Sequence, residues 1–135
     1  MTKLPVKVMV VEDEVLIGLM IVRKLQAQGY QVDQVITTGE EAVHRAGQQD
    51  YDVILMDVTL AGELNGIDAA RQIKERYGIP IIVYSGYDDK QFYEQVGQLK
   101  PVEVVKKLGP ISDITAAIDR AVGRQITSGS GAAQE

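Results

Sequence analysis

The sequence predicts an α/β fold, a five-stranded parallel sheet with helices on both faces. Three observations carry the prediction. Short Val- and Ile-rich runs of strand length recur five times along the 135 residues. A stretch with helical spacing or a helix-start signal follows each run. Glycines fall at several of the boundaries. Strands that alternate with helices in this way form parallel sheets covered on both sides.

The elements follow in order. Val6 to Val11 is a short apolar run and reads as a buried strand. Residues 14 to 28 have helical spacing, with Leu16, Leu19, Met20, Arg23 and Leu25 along one side, and Gly29 suits a left-handed stop. "YQVDQVI", residues 30 to 36, is expected to be the second strand. Thr38 with Glu41 three positions on is a capping-box pair that opens a helix to about Gln48. Val53 to Asp57 is the third strand, and Gly66 to Tyr77 a helix ended by Gly78. "IPIIVYSG" is the fourth strand, residues 89 to 98 a weaker helix, and "VEVVKK" the fifth strand. Ser112 is expected to cap a last helix through about Gly123. The tail "TSGSGAAQE" is rich in small polar residues, and residues 125–135 are expected to be flexible.

Bulk properties exclude several function classes. A length of 135 residues fits one domain. The net charge of -5 argues against non-specific nucleic-acid binding, which needs a basic surface. There are no cysteines, hence no disulfides and no thiolate metal site, which suits a reducing cytoplasm. No apolar run reaches the roughly 18 residues of a membrane span, so no membrane role is expected.

The chemistry lies at the strand ends. In parallel sheets ligands bind beyond the carboxyl edge, near the point where strand order reverses. Strand one runs into Glu12 and Asp13, strand three ends on Asp57, strand four on Ser85 and Gly86, strand five on Lys106 and Lys107. An acid at the end of a greasy strand is costly unless something pairs with it. Three clustered carboxylates repel one another and raise one another's pKa. A hard divalent cation relieves that repulsion, and oxygen-only ligands favour Mg²⁺ shared with a phosphate. A lysine offers a point charge to Asp57 or to a phosphoryl group placed on it. Strand alternation admits only one of Lys106 and Lys107 to the site. The set suits attack by Asp57 on a phosphoryl group to give an aspartyl phosphate.

"VMVVEDE", "VILMDVTLAGELNGIDAA", "IPIIVYSGYDD" and "VVKKLGP" resemble the receiver (CheY-like) domain of two-component response regulators over residues 5 to 124. The resemblance implies a flavodoxin-like (βα)5 sheet with strand order 2-1-3-4-5. It implies that Asp57 is the phosphoacceptor and takes its group from a phosphohistidine on a sensor histidine kinase or a histidine phosphotransfer protein. It implies Mg²⁺ held by Glu12, Asp13, Asp57 and the Thr59 backbone carbonyl. Ser85 becomes the switch hydroxyl, Gly86 keeps the approach open, and Lys107 senses phosphate. The output face would be helix 4, strand 5 and helix 5, about residues 89 to 123, toward a downstream protein or a second copy of the chain. Thr59 and Tyr87 flank the site and are expected to tune hydrolysis.

Three features depart from that family's pattern. Leu108 stands where a proline usually follows the lysine, so the loop after strand five is expected to be shaped differently or to be more mobile. Val104 stands where an aromatic often serves as a second switch, and neither Tyr84 nor Tyr87 is marked by the sequence as its substitute. "TLAGELNG" is slightly longer than the usual loop. The expected function is a stand-alone or excised cytoplasmic receiver, a phosphorylation switch rather than an enzyme. One alternative is a receiver-like binding module that does not use phosphate. A second is a Mg²⁺-dependent aspartyl-phosphate phosphatase, but such enzymes need an acid two residues after the nucleophile, where this chain has Thr59. His44 reads as a surface residue, and Met9, Met20 and Met56 as core filler.

Overall fold

The computed structural model describes residues 5–60, 64–86, 93–100 and 103–127. Five strands alternate with five helices: β1 Val8–Val11, α1 Val15–Ala27, β2 Val35–Ile36, α2 Gly39–Ala46, β3 Val53–Asp57, α3 Gly66–Tyr77, β4 Ile81–Ser85, α4 Tyr93–Leu99, β5 Glu103–Lys106 and α5 Ile111–Thr127. The sheet is parallel throughout, in the order β2-β1-β3-β4-β5. Strand order therefore reverses between β1 and β3, the point at whose carboxyl edge such sheets bind ligands.

Each strand feeds both faces of the sheet by alternation. Met9, Val11, Ile54, Met56, Ile81 and Val83 pack with Ala42, Ala70, Ile73, Val96 and Leu99, which places α2, α3 and α4 on one face. Val8, Val10, Leu55, Ile82, Tyr84 and Val105 pack with Ile21, Leu25, Ile114 and Ile118, which places α1 and α5 on the other. β1, β3 and β4 are buried on both faces, hence their unbroken apolar runs. Burying each large aliphatic side chain contributes about 1.5–3 kcal/mol.

Helix ends follow local chemistry. Thr38 Oγ1 accepts from Glu41 N at 3.1 Å, as a cap should. The return half of the box is not made, because the Glu41 carboxylate takes Arg45 Nε at 2.6 Å instead. Asn65 Oδ1 caps α3 from the Asp68 amide at 2.9 Å. Gly78 closes that helix in the left-handed region at φ 68.

Several expectations are corrected. In α1 the buried stripe is Gly18, Ile21, Val22 and Leu25, not the side marked by Leu16, Leu19 and Met20. Leu16 is 82% exposed and Met20 44%, so Met20 is not core filler, whereas Met9 and Met56 are. Gly18 decides the face: a Cβ there would meet Val35 Cγ1 at 2.6 Å, so the helix lies on β2 along its glycine. β2, at the edge of the sheet, pairs only at Val35 and Ile36, with a separate bridge from Gln31 to Lys7. α2 stops at Ala46, two residues short of Gln48. Ser112 is not the cap of α5: the helix begins at Ile111, behind Pro110, whose carbonyl accepts from Asp113 N at 3.0 Å. That helix runs past Gly123 to Thr127, so the first residues assigned to the tail are helical. α4 is observed from Tyr93, and residues 89–92 of its expected span lie outside the described residues. His44 is exposed on α2, as expected.

Candidate functional site

Strand register brings the acids together. β1 delivers Glu12 directly after Val11, and β3 delivers Asp57 at its last position, with Val11 paired to Met56. Both carboxylates are fully buried, and Asp13 beside them is half-buried. Glu12, Asp13 and Asp57 each place a carboxylate oxygen within 4.8 Å of the others'.

Asp57 is held at both oxygens. Oδ1 accepts from the Thr59 backbone N–H at 2.9 Å and from the Thr59 hydroxyl at 3.0 Å. Oδ2 accepts from Lys107 Nζ at 2.9 Å. The same ammonium lies 3.6 Å from Glu12 Oε1. Glu12 Oε2 accepts from the Glu14 backbone N–H at 3.1 Å, but Oε1 is buried with no hydrogen-bond donor. Burial, and then a hydrogen bond and charge repulsion from Asp57, push the Glu12 carboxyl from 4.5 up to about 8. As an acid, Glu12 donates a hydrogen bond to Asp57. As a carboxylate, it leaves Oε1 unsatisfied. Burial works against the Lys107 charge, but the Asp57 hydrogen bond and the charges of Asp57 and Glu12 outweigh it and hold that ammonium above its ordinary value.

The lysine doublet is resolved. Lys106 closes β5 and is exposed, whereas Lys107, one residue on, has the parity of buried Val105 and reaches the acids. Its backbone N–H bonds the Ser85 carbonyl at 2.8 Å, which ties the end of β4 to the start of this turn. Ser85 is buried at the end of β4, and Gly86 follows it half-buried at the same edge. Tyr87 lies outside the described residues.

Gly66 sets the other wall. Any Cβ at this position would collide with the Asp57 carbonyl oxygen, so the start of α3 packs backbone to backbone against the end of β3.

The donor set fits Mg²⁺. Three hard oxygen ligands converge, one buried carboxylate oxygen lacks a donor, and the Lys107 ammonium pairs with two of the three acids. No helix among the described residues is long and apolar enough to cross a membrane.

Comparison with known proteins agrees with this geometry. Residues 8–119 match the family described as "Response regulator receiver domain". The transcriptional regulatory protein PdtaR of Mycobacterium tuberculosis is 32% identical over 120 residues, covering 89% of this chain. This chain spans 58% of that relative's length. ResD of Bacillus subtilis, also a transcriptional regulatory protein, is 35% identical over 57% of this chain and 31% of its own length. Among solved structures, the receiver domain of the sensor histidine kinase PA1611 from Pseudomonas aeruginosa has a TM-score of 0.80 at 27% identity, covering 88% of this chain and 98% of its own. That receiver carries a magnesium ion in its active-site cleft. The signal receiver domain of a modulated diguanylate cyclase from Desulfovibrio desulfuricans has a TM-score of 0.84 at 27% identity, covering 92% of this chain and 98% of its own. The chain belongs to the response regulator receiver domain family.

Proposed function

We propose that this chain is a phosphorylation switch in which Asp57 accepts a phosphoryl group from a phosphohistidine of a sensor kinase or phosphotransfer protein. One observation carries the reading. A buried carboxylate, Asp57, is fixed by donors at both oxygens beside a second buried acid with an unsatisfied oxygen. A purely structural acid would not need that neighbour.

Glu12, Asp13 and Asp57 would hold Mg²⁺, with the Thr59 carbonyl as a further oxygen. The ion offsets the charge of the carboxylates and of the incoming phosphoryl oxygens when bound. Asp57 then forms the O–P bond as the N–P bond of the donor breaks, and the departing imidazole takes up its proton from solvent. Lys107 must give up Oδ2 for this, and its charge follows to the phosphoryl oxygens. Ser85 would donate its hydroxyl to the same group, and Gly86 leaves the approach open. The added group brings roughly two negative charges to this edge. A shift of Lys107 and Ser85 toward them biases α4, β5 and α5, the face offered to a downstream protein or a second copy.

The donor's approach has a suitable rim. α1 starts directly after the acid pair and exposes Val15, Leu16 and Met20, with Leu108 exposed across the cleft. An apolar rim of this kind suits a protein donor.

Titration with beryllofluoride in the presence of Mg²⁺, followed by NMR, tests the reading. The proposal expects saturable shifts at Thr59, Ser85 and Lys107 that vanish in Asp57→Asn. Equal responses from the two forms would sink it.

A further inference from the structure

We infer that Tyr84 is a positioning residue that seats Lys107 against Asp57 and links the site to the edge between α1 and α5. The coupling half of this inference rests on the phosphoacceptor reading above.

Tyr84 shares sheet register with Asp57 on one side and Val105 on the other. Residues in register on parallel strands face the same side, so its ring lies on the face that carries Asp57, Glu12 and Lys107. It is 3% exposed. Lys107 Nζ stands 5.5 Å from the ring centroid, within cation–π range. The ammonium thus rests between an aromatic face and two carboxylates. That arrangement restricts a flexible lysine to one end of its range.

The far end of the ring reaches the chain beyond the lysine. Burial, and then the Glu12 charge, push the Tyr84 hydroxyl up, and the Leu108 backbone works the other way. Leu108 sits in the left-handed region at φ 64, although it is not glycine and its side chain is 77% exposed. A residue held there without help is disfavoured, so the surrounding structure must impose the turn. Tyr84, Leu108, Met20, Ile111 and Ile114 line one small cleft between α1 and the start of α5. One side chain therefore meets the lysine and shares a cleft with the strained turn and the two helices. If Lys107 leaves Oδ2, the contact under the ammonium changes, and the turn and the α1–α5 edge feel it directly.

The test uses the full chain as wild type, Tyr84→Phe and Tyr84→Leu. Tyr84→Phe keeps the ring and the packing. In free protein, NMR is expected to show ring-current displacement of the Lys107 side-chain resonances in wild type and Tyr84→Phe. In Tyr84→Leu they should move toward unstructured values. Removing the hydroxyl should also shift the Leu108 amide resonance. With Mg²⁺ and beryllofluoride, Tyr84→Phe should bind within about two-fold of wild type and show a weaker response at the Leu108, Met20 and Ile111 methyls. Tyr84→Leu should bind roughly three- to ten-fold more weakly. Unchanged Lys107 resonances in Tyr84→Leu would overturn the positioning role. Equal methyl responses in all three proteins would overturn the coupling. A wild type indifferent to beryllofluoride defeats the phosphoacceptor reading and the coupling with it, while the free-protein resonances still decide whether Tyr84 places Lys107.

Discussion

Lys107 Nζ stands 2.9 Å from Asp57 Oδ2, and nine-tenths or more of Asp57 is out of solvent. The lysine side chain is itself only 15% exposed. An ion pair this sheltered is strongly coupled to the fold, and removing one partner leaves the other charge buried alone. Lys107→Met should therefore lower the stability of the metal-free protein by about 3 kcal/mol, read by urea denaturation. Lys106→Met, at an exposed position, should cost under about 1 kcal/mol. Equal losses at the two positions would contradict the assignment of Lys107 as the inward lysine.

Glu12 sets the pH dependence. Its carboxyl ionises near 4.5 in an unfolded chain but holds its proton up to about 8 in the folded one. Between those values the folded state binds more protons, so stability falls as pH rises across the window and levels off above it. A divalent cation bound by Glu12, Asp13 and Asp57 would take the place of that proton. Stabilisation by Mg²⁺ should grow with pH over the same interval, and Glu12→Gln should flatten both trends. Melting temperatures across the window, with and without Mg²⁺, decide it.

Two glycines should respond oppositely to alanine. Gly66→Ala drives a methyl into the Asp57 carbonyl and should cost at least about 1–3 kcal/mol. It should also weaken Mg²⁺ binding, because Asp57 must move. Gly97, inside α4, has open space around an added Cβ, and Gly97→Ala should stabilise by about 0.5–1 kcal/mol. Calorimetry on the two variants checks the contrast.

Thr59 donates its hydroxyl to Asp57 Oδ1 at 3.0 Å. Hydrolysis of an aspartyl phosphate would return negative charge to that carboxylate, and the hydroxyl would stabilise it as it forms. Thr59→Val keeps the shape and the backbone donor but removes this bond, worth about 0.5–1.5 kcal/mol. Decay of the phosphorylated form should slow by roughly two- to ten-fold. A rate equal to or faster than wild type contradicts this role.

The acid–lysine cluster was legible because strand ends are. An apolar run that stops on Asp57, and another followed by Glu12 and Asp13, leaves those side chains at one sheet edge whatever the packing details. The buried face of α1 was not legible. Val15, Leu16, Ile17, Leu19, Met20, Ile21, Val22 and Leu25 cover more than one side of the helix, so apolar spacing alone does not choose. The close fit of Gly18 on Val35 chooses, and that is a tertiary contact. Ser112 looked like a cap because serine is a favoured one, but the helix already begins at Ile111, directly after Pro110. Tyr84 was legible in principle. Its parity with Ser85 puts it on the opposite face from that residue, and only the register with Asp57 shows that this is the face of the lysine. The place of Leu108, in the left-handed region at φ 64, needed the backbone angles themselves.

The central claim is that Asp57 forms a covalent acyl phosphate. The direct measurement is incubation with Mg²⁺ and acetyl phosphate, reduction with borohydride, and mass mapping of the peptide that contains residue 57. The account predicts homoserine at position 57, dependent on Mg²⁺ and absent in Asp57→Asn. An unmodified Asp57 after that treatment, or modification at another residue that persists in Asp57→Asn, would contradict it.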